Sequence, residues 1–531
     1  MRISVLSALL TVSALLLTSC AAVEDDEAAD EGTASGPAAD HPEELAAFYE
    51  QDPTWEECEG DLECTTVEVP MDYSDPEGET LEIALVSAAP EESGGSSDDE
   101  ADDDAEDDGE DEDVEFLLTN PGGPGESGYD LVAEMRGYAF SSRLQENFAL
   151  VGFDPRGVHR SAPVQCFTDE EMDSYREGDD AFDEDTDTPT GEMDAARQQA
   201  REIGEDCLER TGDSLEFVDT DSAARDMDVI RAALGQERLH YLGFSYGTHL
   251  GITYAELFGD RVGRFVLDGM MDTSVDLQEI SLAQARGFDS VLDDFAQWCE
   301  DLEDCAVDGD ADDIIGSVEQ MLHDVHLEPV EMSGDRTLTV EMLISGFILP
   351  MYSSEGWPLL AQALGAAVDD GEYDMFLAWS DAAAGREADG SYSWQGTMAR
   401  QAIMCADYPV PEADGEIRRE FDAIAREAPV LGPYLGHPAI MCDEWPIEPR
   451  DEPEEPELDD VDEILFVGTS GDPATPVEWA ESMHEMVPAS SLLIYEGEGH
   501  TAYRAEGGCA TEAMDDFLVD GELFDGRSEC S

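Results

Sequence analysis

Short apolar runs alternate with longer stretches of helical spacing along most of this chain. Residues 65–69 and 81–88 alternate well enough to be early strands, with a turn at 72–78 between them. Residues 114–119 and 148–153 read as buried strands. Residues 221–234 put Ala223, Met227, Ile230 and Leu234 on one helical face. An apolar strand from Leu239 follows, then helical spacing over 248–258, then a strand at 264–267. From 277 to about 440 the pattern is mostly helical, with Trp298, Trp357, Trp379 and Trp394 among the apolar positions. Strands return at 464–467 and end at 492–495. Residues 169–196 are polar and read as a mobile surface excursion.

Alternating strands and helices predict an α/β fold with a largely parallel sheet. The helical stretch inside it has the size of an inserted cap. Residues 51–270 and 456–531 then form the two parts of one core, with the cap at 271–455. Residues 91–113 interrupt the first part with 15 acids in 23 positions, which no core could bury, so a disordered insertion is expected there.

The chemistry sits where the strands end. Gly243-Phe244-Ser245-Tyr246-Gly247 is a G-x-S-x-G that follows a strand and opens a helix. In that setting the motif marks a sharp turn that lifts the Ser245 hydroxyl clear of the sheet. The Tyr246 N–H at the helix start can then bind an oxyanion. Asn120-Pro121-Gly122-Gly123-Pro124-Gly125 follows the strand that carries the second oxyanion donor in such a fold. Asp472 follows the strand at 464–467, and His500 follows the last strand, in Gly497-Glu498-Gly499-His500. Serine, acid and histidine in that chain order are expected of an α/β-hydrolase with a helical cap. A serine hydroxyl is a weak nucleophile at neutral pH; His500 would take its proton, and Asp472 would hold the imidazole. Asp268, after the strand at 264–267, is the rival acid. His159 lies in a loop of turn formers and reads as structural.

Charge narrows the partners. The 531 residues carry 24 basic and 131 acidic side chains, a formal net charge of −107, and every basic one is arginine. Phosphate would be repelled, so nucleic acid is excluded as a partner. The acids are scattered, which fits a solvated surface suited to high salt better than an anionic patch for a cationic substrate or calcium. No metal and no cofactor is expected.

The start of the chain reads as an export signal over 1–19, an apolar run too short to span a membrane comfortably. Leu17-Thr18-Ser19-Cys20 resembles the lipobox of bacterial lipoproteins, which implies a lipid on Cys20; the alternative is a plain secretory signal. Membrane contact would then be through that lipid alone, with residues 20–50 as an acidic tether. Eleven cysteines is an odd number for an exported chain. Setting Cys20 aside leaves successive pairs: Cys58/Cys64, Cys166/Cys207, Cys299/Cys305, Cys405/Cys442 and Cys509/Cys530. Sequence does not fix their connectivity, but neighbour pairing suits an oxidising compartment.

Taken with Asp154-Pro155-Arg156-Gly157 and Asp472-Pro473-Ala474-Thr475-Pro476, these motifs resemble secreted actinobacterial tripeptidyl aminopeptidases, relatives of proline iminopeptidase. The resemblance runs from about Trp55 to the C terminus. It implies a serine exopeptidase that releases short peptides from free N termini, with Gly123 and Tyr246 as the oxyanion donors. A free N terminus is a cation, so a cap carboxylate should face it; Asp407 and Asp443 are the candidates. The same triad would equally serve an esterase or lipase. A peptide-binding protein that has lost catalysis is a third reading.

Overall fold

The computed structural model describes residues 41–58, 60–91, 114–178, 189–302, 305–410, 414–435, 438–450, 453–458 and 460–531. The expected signal, Cys20 and nearly all of the acidic insertion lie outside these residues.

The chain's organising element is a ten-stranded sheet. Its strands are β1 (Glu56–Glu57), β2 (Leu62–Pro70), β3 (Thr80–Ala88), β4 (Phe116–Asn120), β5 (Ala149–Phe153), β6 (Leu239–Phe244), β7 (Val262–Asp268), β10 (Ile464–Gly471), β11 (Ser490–Glu498) and β12 (Arg527–Cys530). A separate hairpin pairs β8 (Val330–Glu331) with β9 (Thr337–Leu338). The order across the large sheet is β1-β2-β3-β5-β4-β6-β7-β10-β11-β12. The pairs among β1, β2, β3 and β5 are antiparallel; from β5 onward every pair is parallel.

Parallel strands covered on both faces must be apolar on both, and these are. Leu118, Val151, Tyr241, Phe265 and Phe466 pack one way, onto the helices Thr220–Ala233, Tyr246–Leu257 and Val477–Met486. Their chain neighbours Leu117, Leu150, Leu242, Val266 and Leu465 pack the other way, onto Gly128–Ala139, Ser142–Asn147 and Cys509–Asp520. The period of two in side-chain direction builds both cores from the same strands.

Between β7 and β10 the described chain is helical apart from the β8–β9 hairpin and its connections. The helices Leu277–Glu300, Ala311–Leu327, Val340–Ile348 and Trp357–Asp370 enclose an apolar core of their own around Phe295, Leu343, Phe347 and Leu364.

Some elements add to the sequence reading. Within the polar excursion, Asp169–Glu177 is a helix. Thr168 and Glu171 form a reciprocal capping box at its start, and Met172 points inward, so capping rather than amphipathicity defines it. At the C terminus, β12 adds a strand after the expected last one. Arg-Ser-Glu-Cys has no apolar signal; it is an edge strand beside β11, tied by Cys509–Cys530. The other disulfides are Cys58–Cys64, Cys166–Cys207, Cys299–Cys305 and Cys405–Cys442.

The Asp-Pro-Arg-Gly motif is structural. Arg156 is fully buried, with its guanidinium on both Asp226 oxygens at 2.7 Å and on the carbonyls of Pro70, Met71 and Phe217 at 2.9–3.0 Å. All five of its donors are filled, which is what makes a buried guanidinium tolerable.

Candidate active site

The carboxyl ends of β4, β6, β10 and β11 lead into the four functional loops, as expected for an open parallel sheet. Ser245 sits between β6 and its helix at φ 55° and ψ −123°, a strained conformation for a non-glycine residue. The bend is pinned: the Ser245 N–H donates to the Asp268 carbonyl at 2.9 Å, and the Ser245 carbonyl accepts from Thr248 N at 2.8 Å and Thr248 Oγ1 at 2.6 Å. Space beside it is scarce. A Cβ at Gly247 would lie 2.8 Å from the Asn120 carbonyl.

The loop after β4 presses against this elbow. A Cβ at Gly122 would lie 2.5 Å from the Phe244 carbonyl, 2.9 Å from Ser245 Cβ and 3.0 Å from Tyr246 N. Only a bare backbone can approach that closely. The Gly122 N–H donates to Asn120 Oδ1 at 2.9 Å. We expect Gly122→Ala, at φ 100°, to push this loop off the elbow and lower kcat by about 10²–10³-fold, the cost of one lost oxyanion donor. Steady-state kinetics would check this, and a variant within threefold of the parent would contradict it.

His500 and Asp472 meet directly. His500 Nδ1 lies 2.8 and 2.9 Å from the two Asp472 oxygens. Asp472 Oδ1 also accepts from Ala474 N and Thr475 N, and Oδ2 from Thr475 Oγ1 and Thr501 N, at 2.8–3.1 Å. Burial would raise the Asp472 pKa, but His500 and these amides hold it below the usual carboxylate value. Burial would likewise lower His500; the adjoining Asp472 outweighs it and leaves the imidazole above its usual value. This pairing fixes which ring nitrogen faces the acid and turns Nε2 away from it.

The rival Asp268 is engaged elsewhere. Its fully buried carboxylate accepts from Ala502 N and Tyr503 N at 2.8–2.9 Å and so anchors the turn after His500. His159 lies 3.6 Å from Asp130 and near the Trp394 ring.

Asp407 and Asp443 already have partners. Asp407 is buried at the end of the helix Gly396–Asp407, where it accepts from Thr220 N at 2.8 Å and Thr220 Oγ1 at 2.6 Å. The Thr220 hydroxyl in turn meets the hydroxyl of Tyr246. Asp407 therefore braces Tyr246 through Thr220. Asp443 pairs with Arg197 at 2.7 Å. Sequence reasoning chose both because each follows a paired cysteine, and it could not see these neighbours. It passed over Glu126, which directly follows the glycine loop.

The inserted helices grip the same loops. A Cβ at Gly287 would lie 2.3 Å from the Pro473 carbonyl, and Gln284 Nε2 donates to the Ala474 carbonyl at 3.1 Å. The His500 N–H donates to the Tyr352 carbonyl at 2.7 Å. A Cβ at Gly125 would lie 2.9 Å from Arg400 N.

The sequence matches two family profiles, one described as the alpha/beta hydrolase fold over residues 116–310 and one as TAP-like protein over residues 428–530. Serine protease Hip1 of Mycobacterium tuberculosis is 31% identical over 487 residues, covering 88% of this chain and 87% of that one. This chain belongs to the α/β-hydrolases related to tripeptidyl aminopeptidase. Within that family, Tripeptidyl aminopeptidase of Streptomyces lividans is 29% identical over 491 residues, covering 88% and 84% of the two chains. Carboxylesterase B of M. tuberculosis is 32% identical over 465 residues, covering 87% and 84%.

Proposed function

We propose that this α/β-hydrolase is a serine peptidase that removes short peptides, tripeptides above all, from free N termini. The observation that carries this reading is the His500–Asp472 pair on the same sheet edge as the strained Ser245 elbow. Ser245 Oγ attacks the scissile carbonyl while His500 takes its proton. The amides of Gly123 and Tyr246 hold the resulting oxyanion. His500 then returns the proton to the departing amine, leaving an acyl-enzyme that water hydrolyses by the same route.

An esterase is the second reading, favoured by the likeness to Carboxylesterase B. Both bonds pass through a tetrahedral oxyanion, so the triad serves either. Mass spectrometry of a timed digest of one defined decapeptide separates them. Tripeptides appearing in order from the N terminus support the exopeptidase. Hydrolysis of nitrophenyl esters with the peptide left intact supports the esterase.

The setting belongs to the same proposal. Five disulfides among the described residues fit an oxidising compartment, and no described helix is long and apolar enough to cross a membrane. We read residues 1–19 as an export signal and Cys20 as a lipid anchor holding the enzyme outside the cell. The acidic excess keeps the surface solvated at high salt.

A further inference from the structure

Glu126 is the charged group nearest the oxyanion loop that the mechanism leaves unused. It follows Gly122-Gly123-Pro124-Gly125, and a Cβ at Gly123 would lie 3.1 Å from Glu126 Cγ. That contact puts its carboxylate within about two residue lengths, ~7 Å, of the amide assigned to the oxyanion. The residue is exposed, yet protein surrounds it closely enough to lift its pKa to about 7. Burial is the main cause; Arg400 opposes it, and Asp130 adds to it.

The groups around it are defined. Arg400 stands on the helix Gly396–Asp407, whose backbone touches Gly125. Asp130, on the helix Gly128–Ala139, is held by Arg160 at 2.6 Å. Tyr352 lies edge-on to the His500 ring at 5.5 Å between centroids. Among the described residues its carboxylate makes no hydrogen bond or ion pair, and neither does Arg400. Most other arginines of this acid-rich chain hold a carboxylate, as Arg156 and Arg160 do.

We propose that Glu126 is a specificity residue whose carboxylate holds a cationic group of the substrate, an ammonium or guanidinium, beside the scissile carbonyl. The proposal rests on the peptidase reading above and gives its substrates a charge requirement. The cation has two sources. One is the α-amine, about 10 Å from the scissile carbonyl in an extended tripeptide and nearer in a bent or shorter one. The other is a lysine or arginine side chain on the residue next to the bond.

The test compares full-length enzyme with Glu126→Gln and Glu126→Asp. The substrates are Ala-Ala-Ala anilide, its N-acetyl form, and N-acetyl-Ala-Ala-Arg anilide. Fluorophosphonate labelling of Ser245 shows that each variant is folded. With Glu126→Gln, the kcat/KM ratio of a cationic over the acetylated neutral substrate falls at least tenfold, chiefly through KM, and Glu126→Asp restores part of it. A fall confined to the free-amine substrate assigns the α-amine; a fall confined to the arginyl substrate assigns the side chain. Both ratios unchanged, with the variant folded, overturns the proposal. If the parent enzyme cleaves esters and no anilide, the peptidase reading fails separately. Lysine esters with free and with acetylated amines then put the same question to Glu126, and an unchanged ratio overturns its role there too.

Discussion

Ser245→Ala is expected to lower kcat by about 10⁶-fold while the protein stays folded and still binds peptide. The alanine keeps the strained elbow, since the turn is held by backbone contacts from Ser245 N to Asp268 and from Thr248 to the Ser245 carbonyl. It removes the only oxygen that the proposed chemistry asks to attack. What survives is the stabilisation from the Gly123 and Tyr246 amides and from binding, which sets a floor above the uncatalysed rate. A fluorophosphonate should label the parent enzyme and leave the variant unmarked. A parent that resists labelling would favour a binding protein without catalysis. A variant retaining a hundredth of the activity would place the nucleophile elsewhere.

Asp472→Asn is expected to cost about 10⁴-fold in kcat. The asparagine oxygen can still accept from the Ala474 and Thr475 amides, so the loop should persist. Its amide nitrogen would face His500 Nδ1 as a donor, and the ring would adopt the tautomer that protonates Nε2, useless as a base toward Ser245. The pH profile gives a second readout. In the parent, activity rises as His500 loses its proton, with a midpoint above the ordinary value of about 6.5, because Asp472 raises it. In the variant only the more distant Asp268 charge opposes burial, and the midpoint moves down.

Stability follows the same pair. The raised histidine stabilises the fold fully below its unfolded value of about 6.5, and that contribution fades as pH climbs through its folded value. The depressed aspartate stabilises above its unfolded value of about 3.9, and its share is lost as pH falls through its folded value. The pair therefore contributes most between about 4 and 6.5, and Asp472→Asn should lower thermal stability across that window. A similar loss of activity in Asp268→Asn, with Asp472→Asn nearly unaffected, would reverse the assignment of the acid.

The sheet was legible because its strands are short, apolar on both faces and bounded by glycine, proline and aspartate. The loops bearing Ser245, Asp472 and His500 were legible for a related reason: each follows a strand, and a motif with a mechanical purpose marks its place. The surroundings of the candidate acids Asp407 and Asp443 were not. With 131 carboxylates in the chain, composition offers no contrast, and partners such as Thr220 for Asp407 or Arg197 for Asp443 come from distant segments. Glu126, the residue proposed above to hold a cation, follows bare glycines at a strand end and is hard to single out there among the turn formers. β12 was invisible because an edge strand of Arg, Ser, Glu and Cys shows no periodicity.

The grip of the inserted helices on the functional loops bears on how this enzyme could be altered. Because Gly287, Tyr352 and Arg400 each abut a loop that shapes the chemistry, the insertion is scaffolding for the reaction centre and no freely swinging door. Peptides should enter through an existing opening, without wholesale displacement of this layer. Grafting the corresponding segment from a relative would replace three buttresses at once, so a chimera made to change substrate choice should lose turnover unless those abutments are carried across with it.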